Sequence, residues 1–358
     1  MRIVHIIPGK VWGGAEQYIL DLTRHLRMRG HEVSLIAVGG GAVPPRLDQC
    51  GEIYRIFPEG MYGKAKRLGA MLNGADVVHV HDSSFVPVAV RAARHLGTCA
   101  PKVIFTRHIA RQSRVLPWQR RYYREIHRVI FVSGLARRLW QQANPFFPDE
   151  RCVTIINSVA PVTDDAKPSP SIRQTHGIPA GVPLIMFTGR VRKSKGCATI
   201  IEALSRLAHL EWEMVFVGAC KPASYADTLA SLARKAGIGG RVHFHGFATD
   251  VKNIIQEADI AVLPSIVREA CPLSPMEFMQ AGVPVIATGN GAQPEYITDD
   301  VDGILVEPAD AAGLAKAIAS LLNDTERRRT IARAGHDKFV NSLSYRRFVD
   351  AIEQVYMS

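Results

Sequence analysis

Short apolar runs rich in β-branched residues recur along this chain, separated by stretches in which apolar residues return every three or four positions. The first half carries such runs at Arg2–Pro8, Glu32–Val38, Asp76–His81, Lys102–His108, Arg128–Ser133 and Cys152–Ser158, and each predicts a strand. Between the first two, Ala15, Tyr18, Ile19, Leu22 and Leu26 share one face of a helix predicted over Gly14–Arg29, and Gly30 supplies its stop. The pattern then breaks at Ala160–Ser171, which holds three prolines and little apolar content and so reads as a linker. It resumes with strands predicted at Leu184–Thr188, Glu213–Gly218, Val242–Phe247, Ile260–Pro264, Val283–Thr288 and Gly303–Val306. Helices are predicted at Ala198–Leu207, Tyr225–Ala236, Met276–Ala281 and Tyr345–Tyr356. Strands this apolar, alternating with helices, are the mark of parallel βαβ units buried on both faces.

The reading is therefore two α/β layers of sheet and helix. The first domain covers 1–165 and the second 173–343, with a linker at about 160–172 and a final helix, 344–357, packing back on the first. A length of 358 residues suits two domains. Open parallel sheets bind ligands beyond the carboxyl ends of their strands, so two such edges facing one another would form a cleft.

Composition narrows the class. With 47% hydrophobic and 22% charged residues the chain is neither disordered nor a membrane bundle. No run approaches the ~18 apolar residues of a membrane span, and the apolar start Met1–Pro8 is too short for a signal peptide. These features point to the cytosol. The six cysteines are widely scattered without a CxxC, which writes neither a zinc site nor a disulfide framework.

The formal charge of +11 is unevenly placed. All the excess lies in the first half, densest over 102–138, where ten basic residues meet the single acid Glu125. With Trp118, Tyr122 and Tyr123 interleaved, this stretch points to an anionic membrane surface, such as the cytoplasmic face, or an anionic acceptor. Its rivals are a solvated basic face and a nucleic-acid or polyanion site; no nucleic-acid motif accompanies the charge, so no nucleic acid is expected.

Three segments carry candidate chemistry. Pro8-Gly9-Lys10-Val11-Trp12-Gly13-Gly14-Ala15-Glu16 follows the first strand, and Gly13 and Gly14 let backbone N–H groups approach a ligand at a helix start. Gly189-Arg190-Val191-Arg192-Lys193-Ser194-Lys195-Gly196 puts Arg190 and Lys195 between a strand and a helix, where guanidinium, ammonium and helix dipole suit a diphosphate. Glu269-Ala270-Cys271-Pro272-Leu273-Ser274-Pro275-Met276-Glu277 holds two carboxylates across a helix start. Glu269 and Glu277 can accept from sugar or ribose hydroxyls, while loop N–H groups at Cys271, Leu273 and Ser274 can cap an anion.

Gly-Arg-x4-Lys-Gly followed by Pro264-Ser265, Glu-x7-Glu and Ala281–Thr288 resembles the family 4 glycosyltransferases of the GT-B fold. So do Gly13–Glu16, Val78–His81 and Gly303–Pro308. The resemblance covers nearly the whole chain. It implies two Rossmann-like α/β domains facing each other across a cleft, and retaining, metal-independent transfer of a sugar from a nucleotide-sugar donor to a glycan or lipid-linked acceptor. Surface polysaccharide or glycolipid synthesis of the bacterial type is the implied setting. No cofactor is implied; the donor, UDP- or GDP-linked, is a substrate. Arg190 and Lys195 match the pair that neutralises the leaving diphosphate, Glu277 the ribose carboxylate and Glu269 the sugar-contacting carboxylate. Gly13 and Gly14 match a phosphate-contacting loop, and His108 the histidine near the sugar, with a catalytic role expected for it. Phe247 and its neighbours would lie by the base. Glu16, His81, Arg107, Arg111 and Ser133 are the candidate acceptor contacts, and Ser133 could equally cap a helix. Many members carry Gly-Phe-Gly where this chain has Ala270-Cys271-Pro272. Pro272 has no N–H, so at least one loop donor is lost. Asp300-Val301-Asp302 spells D-x-D but sits in a turn, and no metal is expected there. A nucleotide-sugar epimerase is the rival enzyme, disfavoured because the Gly-Arg-x4-Lys-Gly and Glu-x7-Glu pair is a transferase pattern.

Overall fold

The apolar runs become thirteen strands among the described residues, and every pairing between them is parallel. The structure, a computed structural model, describes residues 1–7, 11–58, 64–161 and 170–358. It divides into two units, Met1–Asn157 together with Tyr345–Ser358, and Ser158–Ser344.

In the first unit, β1 (Arg2–Ile7), β2 (Glu32–Val38), β3 (Tyr54–Phe57), β4 (Val77–Val80), β5 (Lys102–Arg107), β6 (Arg128–Phe131) and β7 (Cys152–Thr154) lie in the order β3-β2-β1-β4-β5-β6-β7. The second unit orders β8 (Leu184–Thr188), β9 (Glu213–Val217), β10 (Val242–Gly246), β11 (Ile260–Leu263), β12 (Val285–Thr288) and β13 (Ile304–Val306) as β10-β9-β8-β11-β12-β13. Both are doubly wound. The order reverses between β1 and β4 in one sheet and between β8 and β11 in the other, and such switch points open a crevice beyond the strand ends.

Helices on both faces explain why the central strands lack polar alternation. Every residue of β4, β8, β11 and β12 is buried. Each fully buried branched aliphatic residue there, such as Ile6, Val78, Ile185 or Val262, contributes about 1.5–3 kcal/mol of burial. The helix Gly14–Met28 buries Tyr18, Ile19, Leu22 and Leu26 on the predicted face. It ends as predicted, at Gly30, whose φ of 85° few other residues adopt.

The last helix, Tyr345–Met357, belongs to the first unit. It buries Phe348, Val349, Ile352 and Tyr356. Arg29 bonds Asp350 at 2.6 Å, His31 meets Glu353 at 2.8 Å, and Lys102 Nζ donates to the carbonyl of Tyr356 at 3.2 Å.

Two expectations change. Tyr122 and Tyr123 were assigned to an interface with water or lipid, but both are buried. The short helix Arg120–Tyr123 turns them inward, with Tyr123 packing on Phe105 and Trp140. Of that aromatic trio only Trp118, 59% exposed, stays outside. Nor is the basic stretch 102–138 one surface. It runs through β5, β6 and two helices, so Lys102 and Arg128 fall at the leading ends of their strands and Arg107 at a trailing end. Of the linker expectation, 162–169 lies outside the described residues.

Candidate functional site

The second unit gathers its polar groups at the β8–β11 switch point. β8 ends at Thr188, and the chain passes through Arg190 and Lys195 before the helix Cys197–Ser205 begins. Gly196 makes this turn with φ 72°, pressed so closely on the end of β11 that a Cβ would collide with the carbonyl of Pro264. The amides of Ile266 and Val267 bond the Ser194 carbonyl at 3.0 and 3.4 Å, tying the two loops together.

Lys195 and Glu269 meet across these loops. Lys195 Nζ lies 2.7 Å from Glu269 Oε1, which also accepts from the Ser265 hydroxyl at 2.8 Å. Both side chains are about one-fifth exposed, so the pair is sheltered yet reachable. The Glu269 carbonyl accepts from the Ala292 amide at 3.0 Å, which fixes the loop that presents it. Arg190 is exposed, and its guanidinium has no side-chain bond or ion pair among the described residues. Below, a small cavity of about 20 Å³ is lined by Thr188, Lys195, Ser265, Ser274 and Gln293. Thr188 Oγ1, Gln293 Oε1 and the neighbouring Ser194 Oγ are buried without hydrogen-bond partners. Buried polar atoms are seldom left so, and Thr188 and Gln293 line the same cavity as Lys195.

The helix Leu273–Gln280 starts here, with Pro272 at its cap and Glu277 partly buried one turn in. Ser274 spends its hydroxyl on the Thr188 carbonyl at 3.2 Å; Cys271 is buried and Leu273 partly so. Phe247, just past β10, is 62% exposed. The D-x-D turn is occupied by the protein itself. Asp302 pairs with Lys338 at 2.8 Å and accepts the Thr298 amide at 2.7 Å, and Asp300 pairs with Arg327.

The first unit places a different chemistry at its β1–β4 switch point. His5, His79 and His81 are buried, each offering a nitrogen within 4.8 Å of the others. Nδ1 of His5 lies 3.0 Å from Nε2 of His81, and Nδ1 of His81 lies 3.2 Å from Nε2 of His108. His79 is held separately, by the Tyr356 hydroxyl and the Thr106 hydroxyl, both at 2.6 Å. Burial pushes all four imidazoles down, His5 to about 3 and His108 to about 4, so they are neutral at pH 7. All the ring nitrogens of this trio except His5 Nε2 already have a partner within the unit. A chain of neutral imidazoles with alternating donors and acceptors accounts for the contacts.

The other first-unit candidates are disposed variously. Gly13 is the extended cap and Gly14 the first residue of the helix Gly14–Met28, with Glu16 in its first turn; Pro8, Gly9 and Lys10 lie outside the described residues. Arg107 is buried, with its guanidinium bonding the Arg111 carbonyl at 3.1 Å and Ser113 at 2.8 Å, and burial lowers it to about 10. Arg111 is exposed. Ser133 takes the capping role: its buried hydroxyl accepts from the Ala136 amide at 3.2 Å. His79, on the strand of the family pattern Val78–His81, is completely buried between two hydroxyls. His5, Thr188 and Gln293 were not anticipated, and Ser265 entered only as part of the family pattern, with no role assigned. His5 alone left a signal, a titratable residue in the middle of an otherwise apolar strand.

Two family models match the chain. "Glycosyltransferase Family 4" matches residues 12–161 and "Glycosyl transferases group 1" matches residues 168–338. Among curated relatives, the lipopolysaccharide core biosynthesis glycosyltransferase LpsE of Rhizobium meliloti is 31% identical over 180 residues, 50% of this chain and 51% of that protein. The chain spans about half the length of the first curated relatives it matches. The phosphatidyl-myo-inositol mannosyltransferase of Mycolicibacterium smegmatis is 28% identical over 354 residues, 92% of this chain and 86% of that one. Among solved structures, Anabaena Alr3699/HepE, in complex with UDP and glucose, superposes with a TM-score of 0.82 at 20% identity, covering 99% of this chain and 98% of that one. The rival readings, a polyanion binder and an epimerase, draw no support from these matches.

Proposed function

This chain belongs to the family 4 glycosyltransferases, its two halves matching the two family models, and from that premise we propose that it transfers a sugar from a nucleotide-sugar donor to a glycan or lipid-linked acceptor. The acceptor class follows the relatives that act in lipopolysaccharide core and phosphatidyl-inositol mannoside synthesis, and a UDP-linked donor follows the bound UDP of the Anabaena structure. No helix among the described residues is long and apolar enough to cross a membrane.

The observation that carries the proposal is the Lys195–Glu269 pair, in which Lys195 comes from the loop that also carries Arg190, with buried polar atoms of Thr188 and Gln293 lining the adjoining cavity. Transfer breaks the bond from the anomeric carbon to the diphosphate oxygen, and its electron pair leaves with the diphosphate. Arg190 and Lys195 stabilise that growing negative charge, the contribution that usually dominates such catalysis. Glu269, held by Lys195 and Ser265, accepts from the sugar hydroxyls, and Glu277 from the ribose. Retention follows if the acceptor oxygen bonds the same face that the diphosphate leaves, its proton passing to the departing phosphate oxygen. No metal is needed in this scheme, since the two cations supply the charge. The parts proposed for Gly13, Gly14 and His108 rest on the family pattern. A neutral His108, its tautomer set by His81, offers a hydrogen bond rather than a charge.

Thermal shift with UDP, GDP and ADP identifies the nucleotide, because a ligand bound to the native state raises apparent stability. Turnover with a panel of nucleotide sugars, and the anomeric configuration of the product, then test the reaction. Arg190→Ala and Lys195→Ala should each lower kcat by about 100-fold or more. Full turnover in both would remove the leaving-group role, and an inverted anomer would remove the same-face mechanism.

A further inference from the structure

The first unit carries a basic pocket at the edge of its sheet opposite His108. A pocket of about 490 Å³ opens among the chain segments that enter β5, β6 and β7 and the end of the helix Val86–Arg94. Its charged lining is Arg94, Arg124, Arg128, Arg151, His127 and Glu125. Six residues of β5, at about 3.3 Å each, put this edge roughly 20 Å from the trailing edge that carries His108. A group bound there cannot be the reacting group.

From this geometry we infer that the pocket is a separate binding site for a phosphate-bearing ligand, held by Arg124, Arg128 and Arg151. Glu125, the one acid in the lining, is already engaged: Arg94 Nε donates to it at 2.8 Å, and a second nitrogen completes the fork. Arg124, Arg128 and Arg151 have no carboxylate partner among the described residues. The walls are prepared as well. Arg151 donates to the Arg124 carbonyl at 2.7 Å and to the Ile126 carbonyl at 3.4 Å, fixing the loop that presents Arg124 and His127. Arg128 donates to the His127 carbonyl at 3.0 Å. Arg124, Arg128 and Arg151 thus line one concave surface without a carboxylate among them to offset their charge, and planar guanidinium donors fit phosphate oxygens bidentately. His127 senses that excess: burial first, then Lys102, Arg128 and Arg151, hold its imidazole below the ordinary value. The volume accommodates a short polyphosphate or a phosphorylated sugar, from a soluble molecule or from a lipid headgroup.

The test titrates the full chain with pyrophosphate and follows the ring nitrogens of His127 by NMR, assigned with His127→Gln. KCl of equal ionic strength serves as control. An anion in the pocket cancels the cations that depress His127, so its titration midpoint should rise by about half a unit or more. In Arg124→Gln/Arg128→Gln that rise should vanish, with Arg94 and Arg151 left to hold the rim. Phosphatidic acid vesicles form a second arm. A rise with vesicles but not with pyrophosphate assigns the site to headgroups, and the reverse assigns it to soluble phosphates. No rise in either arm, or an equal rise in the double variant, overturns the site. None of these readouts depends on the sugar-transfer reading.

Discussion

Replacing Gly196 with alanine separates two costs that glycine avoids at the head of the proposed donor loop. Gly196 has φ 72°, and Gly237, in the same unit, has φ 74°, so alanine meets nearly the same backbone strain at both. The surroundings differ. Nothing lies within 4 Å of a Cβ at Gly237, whereas at Gly196 the new atom would collide with the Pro264 carbonyl oxygen and lie 2.9 Å from its carbon. The strain is about 1–2 kcal/mol, less a few tenths regained because alanine restricts the unfolded chain. At Gly196 the backbone must also move by about an ångström, and such overpacking adds about 1–3 kcal/mol. The helix Cys197–Ser205 cannot simply slide away, because Cys197, Ile200 and Ile201 are fully buried. In a unit of this size each kcal/mol moves Tm by about 2–4 °C. Calorimetry should therefore show a loss of about 2–6 °C for Gly237→Ala and about 5–15 °C for Gly196→Ala. Nucleotide binding by titration calorimetry should weaken at least ~10-fold only in the second, since Lys195 shifts with the loop. Equal thermal losses, or unchanged nucleotide affinity in Gly196→Ala, would refute the claim that this close approach positions Lys195.

The remaining predictions concern the histidine network and the D-x-D turn. The folded values of His5, about 3, and His108, about 4, lie below the unfolded value near 6.5. Above pH 6.5 neither state binds the proton and stability is level; below it the unfolded chain takes up protons that the folded chain refuses, so stability falls toward pH 4. For these two residues the loss is about 3 kcal/mol by pH 5.5. It should appear as a lower urea midpoint at pH 5.5 than at 7.5, and a flat profile would contradict the burial of neutral imidazoles. Asp300→Asn, which breaks only an exposed pair with Arg327, should change stability by less than about 1 kcal/mol. Asp302→Asn should cost about 1–3 kcal/mol through Lys338 and the Thr298 amide. Turnover of both variants, with and without EDTA, should match the parent; a chelator-sensitive loss would put a metal in that turn.

The sheets were legible because their central strands are buried on both faces, which leaves unbroken apolar runs; β2 and β8 coincide with the residues read from the pattern. β3 (Tyr54–Phe57) escaped because it is the sheet edge. Arg55 and Ile56 face solvent there, and only Phe57 is fully buried. The start of the helix Leu273–Gln280 was placed three residues late, at Met276, since Pro272 and Pro275 read as loop; a proline in the first turn forfeits no helical hydrogen bond. Charge was harder. The stretch 102–138 reads as one basic face, yet each strand carries its two ends to opposite edges of the sheet, and the pocket at Arg124, Arg128 and Arg151 depends on that division. The histidines were hardest, because residues 5, 79, 81 and 108 meet only when the strand order is known.

That same strand order gives the two switch points different electrostatic characters. At the β8–β11 crevice the polar groups are a guanidinium and an ion pair: Arg190 presents donors only, and Lys195 holds Glu269 at 2.7 Å. At the β1–β4 crevice burial strips charge from every imidazole, and the groups hold one another through Nδ1 and Nε2 contacts. Two arrangements of the protons along His5, His81 and His108 leave all three neutral; passing from one to the other takes in a proton at one outer nitrogen, His5 Nε2 or His108 Nδ1, and releases one at the other. His108 thus presents a donor or an acceptor toward a ligand according to the arrangement, while Arg190 and Lys195 can only donate. His81 is then the residue that decides which form His108 presents. Replacing His81 with glutamine, which keeps a donor and an acceptor but fixes their ends, should lower kcat while KM for the donor stays within about 2-fold, since a misplaced proton is a fault of the transition state rather than of binding. Replacing it with phenylalanine leaves His108 Nε2 without its partner and should also lower the unfolding midpoint. If glutamine raises KM and leaves kcat intact, the tautomer argument fails and His81 serves only to fill the core.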